Sequence, residues 1–302
     1  MATETSAPLA SGLPEATVEI LASLAQHRVL TTEQVREIHL PGNHARWAQQ
    51  VLGRLRGAGL VAFTRPPHSG QRLWFATERG VRLAREAHAL EGKPRPLHAA
   101  EVAGQLRAHT LAVNEVGIAF LRAARERGDE CGPLAWRHEV AHPLSRGRGR
   151  RRRTLFADAV LTYLREEGGR LALEQRFLEL DRATLTVDRL VAELARYAEL
   201  HRTKAPGGEA IWKERYPRFP KVHCVLAGAS RPTLERRRNS TLALLGSNPQ
   251  LAGARGPRIS ICLLDDLRAR GPFAPIFREL RDPCQAVDWL GAESKDEDAG
   301  DK

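Results

Sequence analysis

The chain has 302 residues, 42% of them hydrophobic and only 5% aromatic, enough for two ordinary cores packed by aliphatic side chains. With 47 Lys plus Arg against 36 Asp plus Glu it carries +11, a surface that draws polyanions such as DNA, RNA or anionic lipid. The start MATETSAPLASG lacks the basic region of a signal peptide and no apolar run reaches the roughly 18 residues of a membrane helix, so a cytoplasmic chain with no membrane partner is expected.

Residues 1–13 are expected to be disordered. From Pro14 to Gln26, Val18, Leu21, Leu24 and Ala25 recur at helical spacing. TTEQVREIHLPG then starts a short second helix at a Thr N-cap, Thr31 or Thr32, and stops it at Pro41-Gly42. A third helix over Asn43 to Arg56, turned at 100° per residue, gathers Trp47, Val51, Leu52 and Leu55 on one side. Arg46, Gln49, Gln50, Gly53, Arg54 and Arg56 fall on the other. Arg pairs with guanine edges or phosphate and Gln with adenine edges, so this face suits a major groove, against the plainer reading of a solvated helix surface.

LVAFTR and RLWFAT flank PPHSGQ, two β-rich runs around a Pro/Gly/Ser turn. This is a hairpin wing, with Arg65, His68 and Arg72 at or near its tip and a closing helix in TERGVRLAREAHAL. The order predicts a winged helix-turn-helix over residues 14–92 that binds double-stranded DNA; some winged helices make only protein contacts.

After the linker EGKPRP, residues 97–290 predict a second domain. Leu97 to Arg127 reads as one long helix. The strands LAWRHEV, TLFADAVLTYL and RLALEQRFLEL follow, then a helix from Leu185 to His201 and the strands KVHCVLAG and RISICLL. This mixed α/β (α+β) order, α-β-β-β-α-β, is that of the restriction-endonuclease-like PD-(D/E)xK fold. Asp158 lies in the second strand, while Glu179 and Asp181 end the third on the face shared with Gln175 and Phe177. Three converging carboxylates would suit a divalent cation such as Mg²⁺ that activates water for phosphodiester hydrolysis, with Asp158 and Glu179 as ligands. Asp181 stands where an active enzyme of this class has Lys, so no cofactor is certain and the alternative is a salt-bridge network with nearby arginines.

SRGRGRRRR at 145–153 sets six arginines in eight positions; Arg148, Arg150, Arg151, Arg152 and Arg153 are read as a phosphate clamp. Cys131, Cys224, Cys262 and Cys284 form no C-x-x-C pair and are expected as free thiols. Residues 291–302 form an acidic tail expected to be disordered.

The pieces LTTEQVREIHLPG, VLGRLRGAGLV, LRAHTLAVNEV and, above all, FADAVLTY with FLELDRATLTVDRLVAELARYAEL resemble the replication-relaxation family of actinobacterial plasmids and integrating elements. The resemblance spans about Leu21 to Leu264. It implies a winged helix joined to an endonuclease-like domain, and a DNA-binding accessory role in plasmid replication or in DNA relaxation during transfer. A replication initiator or relaxase is the implied partner. Asp158, Glu179, Asp181, Arg182 and Thr184 match the family's acidic motif, whereas Ala157 replaces a common Pro and Glu193 a common helix Lys. A Mg²⁺-dependent endonuclease or nickase, and a transcriptional regulator whose second domain only dimerises, are the other functions in play.

Overall fold

The computed structural model describes residues 14–39, 41–42, 45–66, 70–87, 90, 96–97, 102, 106–144, 153–253 and 255–291. Residues 1–13, the acidic tail after Gly291, most of the linker, the wing tip with His68, and Arg148, Arg150, Arg151 and Arg152 lie outside them. The chain divides into two compact units: the described part of Met1–Leu121 with Cys131–Arg137, and Arg122–Glu130 with His138–Lys302. The first therefore includes chain beyond residue 92.

The first unit begins with α1 (Glu15–Gln26), which buries Val18, Ile20, Leu21 and Leu24. A two-residue strand, β1 (Leu30–Thr31), leads into α2 (Thr32–His39). Of the two Thr candidates, Thr31 is the cap: its Oγ1 accepts from the Gln34 amide at 3.0 Å while Gln34 Oε1 accepts from the Thr31 amide at 3.1 Å, a reciprocal capping box. Gly42 (φ 86°) turns the chain toward α3 (Ala45–Gly57).

The end of α3 explains the run Leu-Arg-Gly-Ala-Gly-Leu at 55–60. Gly59 (φ 69°) bonds back to the Arg56 carbonyl at 2.9 Å and Leu60 to the Leu55 carbonyl at 2.9 Å, with Leu55 and Leu60 both buried. That is a Schellman stop, which needs a residue free to take positive φ at Gly59. It aims the chain into β2 (Val61–Thr64), antiparallel to β3 (Leu73–Ala76). β1 pairs with the other edge of β3, so the sheet has three strands, one more than the expected two-stranded wing.

Thr77 Oγ1 takes the Gly80 amide at 3.1 Å and starts α4 (Glu78–Ala87). A Cβ on Gly80 would sit 2.0 Å from the Leu60 carbonyl oxygen, so only glycine lets the helix pass the end of α3. The segment of α5 (Leu106–Arg127) up to Leu121 completes the unit through buried Asn114. The Asn114 amide donates to the Val29 carbonyl at 2.9 Å and its oxygen accepts from the Trp136 indole at 3.0 Å. His27, stacked 4.1 Å from Trp136, is kept neutral by burial, its pKa pushed down to about 3.

The second unit is built on one mixed sheet. β4 (Trp136–Pro143), which enters it from His138, is the edge strand beside β5 (Thr154–Glu167), and β5 in turn borders β6 (Arg170–Asp181). Glu167 faces Arg170 across a two-residue turn of Gly168 and Gly169, both at positive φ, the turn that matches strand twist. α6 (Val187–Arg202) then crosses to β7 (Lys221–Leu226), parallel to β6. α7 (Arg231–Gly246) and the short α8 (Pro249–Ala252) precede β8 (Ile259–Leu263), parallel to β7. α9 (Leu264–Arg270) and the short strands β9 (Phe277–Glu279) and β10 (Ala286–Val287) follow, giving the order β10-β9-β8-β7-β6-β5-β4.

The expected succession of three strands, helix and strand is therefore present within a seven-stranded sheet. Phe177, Tyr197, Leu194, Cys224, Leu242 and Ile261 lie in its main apolar core, between the sheet and helices α6 and α7. The near-continuous burial of β7 and β8 is what parallel central strands require.

Candidate nucleic-acid interface

In α3 the buried residues are Ala48, Val51, Leu52 and Leu55, so the helix is fixed with Arg46, Gln49, Gln50, Gly53, Arg54 and Arg56 exposed. Trp47 corrects the expectation: it is 39% exposed and Ala48 takes the inward place. Trp47 sits at the edge of the apolar arc, where the small Ala48 permits close approach of the backbone and a bulky indole does not fit. The indole thus joins the polar face.

The sequence also missed how the wing arginines are held. The guanidinium carbons of Arg56, Arg72 and Arg65 lie 4.9, 5.2 and 5.6 Å from the centre of the Phe63 ring. Phe63 is half-buried in β2 and leans on Trp74, centroids 4.9 Å apart. The negative ring face attracts each cation, yet three like charges repel one another. No ion-pair partner is present for Arg56, Arg65 or Arg72 among the described residues. A cleft of about 340 Å³ opens beside them, lined by Thr32, Glu33, Gln49, Arg65, Gln71 and Arg72; its one acid, Glu33, is bound by Arg36. The face joins a Gln-bearing helix to a cluster of guanidiniums that an anion would relieve.

The carboxylates of the second unit are arranged differently. The β5–β6 ladder runs to Ala159↔Leu178, after which Asp158 Oδ2 accepts the Leu180 amide at 2.8 Å. Glu179 faces Asp158 and accepts from the Tyr197 hydroxyl of α6. Burial, followed by the Asp158 charge, raises the Glu179 pKa well above the ordinary carboxylate range. Tyr197 is pushed up by burial and by Glu179.

Asp181, two residues on in β6, shares the Glu179 face, and the thiol of Cys224, which pairs with Glu179 from β7, is pushed up by burial and then by Asp181, Glu179 and Asp158. Both Asp181 oxygens are taken by Arg237 of α7, one at 3.0 Å, in a fork between two buried side chains. Nothing in the local pattern near Asp181 signals Arg237, one of three arginines at 236–238. Among the described residues no group of three or more His, Cys, Asp or Glu is placed to hold a metal ion. Arg153, the one described member of the Arg tract, is ion-paired with Glu199 at 2.8 Å. Cys131, Cys224, Cys262 and Cys284 are free thiols, and no helix among the described residues is long and apolar enough to cross a membrane.

A search of curated proteins gives no match. Among solved structures, the crystal structure of a zinc-responsive MarR family member, Lactococcus lactis ZitR, is similar at 20% identity and a TM-score of 0.24, covering 42% of this chain and 81% of that one. The family model described as replication-relaxation matches residues 21–210, well over half of the chain, across the winged helix, the hairpin that carries Asp158 and Glu179, and the crossover helix α6. The chain belongs to the replication-relaxation family.

Proposed function

We propose that this protein is a DNA-binding accessory factor of a mobile element, acting in plasmid replication or DNA relaxation and transfer by holding a duplex site with its winged helix. The carrying observation is the gathering of Arg56, Arg65 and Arg72 around Phe63 beside the exposed Arg46, Gln49, Gln50 and Arg54. Three guanidiniums held together without a carboxylate make a site for phosphate, and the neighbouring Gln and Arg side chains supply base-edge contacts. Arg148, Arg150, Arg151 and Arg152 add phosphate contacts, and Arg153 joins them on exchanging Glu199 for phosphate. A replication initiator or relaxase is the partner that family membership suggests, and a homodimer would read two half-sites.

The carboxylate cluster takes a structural role in this reading. Asp181 is neutralised by Arg237, Asp158 Oδ2 accepts the Leu180 amide, and Glu179 is buried and accepts from the Tyr197 hydroxyl, so the set as it stands does not fit a divalent cation. No hydrolytic step is derived from it.

Binding of labelled duplexes, selected from the element that encodes the protein, tests the reading. Affinity should fall steeply with salt, and Arg46→Ala or Gln50→Ala should each weaken the preferred site by about 1–3 kcal/mol. Equal affinity for all duplexes, unchanged by either substitution, would count decisively against it. A palindromic footprint at the protein's own promoter, with plasmid copy number and transfer unaffected, would move it to transcriptional regulation. Supercoiled plasmid incubated with Mg²⁺ should stay closed; nicking lost in Asp158→Ala would restore the nuclease.

A further inference from the structure

The second unit carries a groove of about 480 Å³ between the end of α6 and the segment following α8, within the usual size range of ligand clefts. Its cations are Arg202, Lys204 and Arg255, all exposed, and no acid lines it. None of the three has an ion-pair partner among the described residues, whereas Arg153, Arg231, Arg237 and Arg258 of the same unit are each matched with a carboxylate. The nearby carboxylates are already engaged: Glu199 with Arg153 at 2.8 Å and Glu209 with Lys213 at 3.5 Å.

The walls are fixed. Arg202 is tied back by its Nε to the Ala198 carbonyl at 3.0 Å, which leaves its terminal nitrogens for another acceptor. The far wall folds tightly, because a Cβ on Gly256 would lie 2.7 Å from the Leu251 carbonyl oxygen. Arg281 clips it by donating to the Gly256 carbonyl at 2.8 Å, adding positive charge behind the groove. His201, half-buried at the groove wall, has its pKa lowered by burial and then by Arg202 and Arg281. Its neutral ring and Pro249 supply apolar surface between the cations, as a sugar-phosphate chain requires.

We propose that the groove bounded by Arg202, Lys204 and Arg255 is a second nucleic-acid site that binds the phosphodiester backbone. It recognises repeated phosphates rather than bases, since its polar lining is cationic apart from Gln250 and the neutral His201. It stands independently of the winged helix: either site can fail while the other holds.

The test uses the full chain and two labelled probes, a 20-mer single strand of mixed sequence and its duplex, titrated at several salt concentrations. Wild type is compared with Lys204→Gln/Arg255→Gln, each in the native background and with Arg46→Ala/Arg54→Ala. The double groove variant should bind at least one probe about tenfold more weakly near 0.1 M salt, with the slope of log K against log salt reduced by about two units or slightly less. The same loss should persist when the reading helix is disabled. Lys204→Arg/Arg255→Lys should restore the slope. Loss confined to the single strand identifies unpaired DNA as the occupant, and loss confined to the duplex identifies double-stranded DNA. Unchanged affinity and slope for both probes, with an unchanged melting temperature proving the variant folded, would overturn the proposal.

Discussion

Two sets of arginines, one in each unit, serve opposite ends. On the winged helix, Arg56, Arg65 and Arg72 share one aromatic ring and no carboxylate among the described residues. In the sheet domain, Arg237 grips Asp181, Arg231 meets Asp266 at 2.8 Å and Arg258 meets Glu279 at 3.2 Å. Matched guanidiniums stabilise the fold that holds them, whereas crowded and unmatched ones cost stability until an anion arrives. Pairing, more than the count of basic residues, separates structural charge from charge kept for a ligand.

The sharpest way to break this contrast is Arg237→Ala. Asp181 and Arg237 are both buried, so removing one leaves an uncompensated charge worth about 3–5 kcal/mol of stability. Urea unfolding should show that loss, and Arg237→Ala/Asp181→Ala should cost clearly less than the two single losses added together. A loss for Arg237→Ala no greater than the usual effect of an exposed pair would mean that the fork is solvated and the contrast false.

Glu179→Gln comes next. Burial and the neighbouring Asp158 raise the Glu179 pKa in the folded protein, so the stability associated with its proton is complete below the unfolded carboxyl value and is lost as pH climbs through the folded one. Gln imitates the protonated acid and escapes that loss. It should raise the melting temperature near pH 7 by about 3 °C, roughly what 1 kcal/mol gives in a domain of this size, and the gain should vanish toward pH 4. A lower melting temperature at pH 7 would show that the ionised carboxylate is the stabilised form and would reopen the cluster as a cation site.

Local chemistry explains why much of the winged helix was legible. A Thr N-cap at Thr31 or Thr32, the turn at Pro41-Gly42 and the two β-rich runs are determined by neighbours within a few positions and were read from sequence, while the reciprocal Gln34 bond and the Gly59 stop, equally local, were not. The face of α3 was legible too, apart from Trp47, where hydrophobicity outweighed angular position. β1 is too short to show a period, and it forms only because β3 offers an edge. The strands and crossover of the second unit were legible from their apolar runs. The partner of Asp181 was not, because Arg237 is 56 positions away and only the crossover to β7 and α7 brings it back. The role of Phe63 also escaped, since nothing in VAFTR states that arginines from three segments meet over one ring.

Phe63 therefore offers the smallest and most discriminating test. Its ring arranges Arg56, Arg65 and Arg72 but carries no charge, which makes it a positioning residue for phosphate contacts. Phe63→Leu keeps a hydrophobic side chain beside Trp74 and removes the aromatic face, worth about 0.5–1 kcal/mol at an exposed site. Duplex affinity should fall about two- to fivefold with the salt slope unchanged, because the same cations still displace the same counterions. Arg72→Ala should instead reduce the slope by about one unit, and Phe63→Tyr should bind as the wild type does. If Phe63→Leu lowers the slope as Arg72→Ala does, the arginines have left the interface altogether; if it leaves affinity untouched, the ring does not organise them and their convergence is incidental.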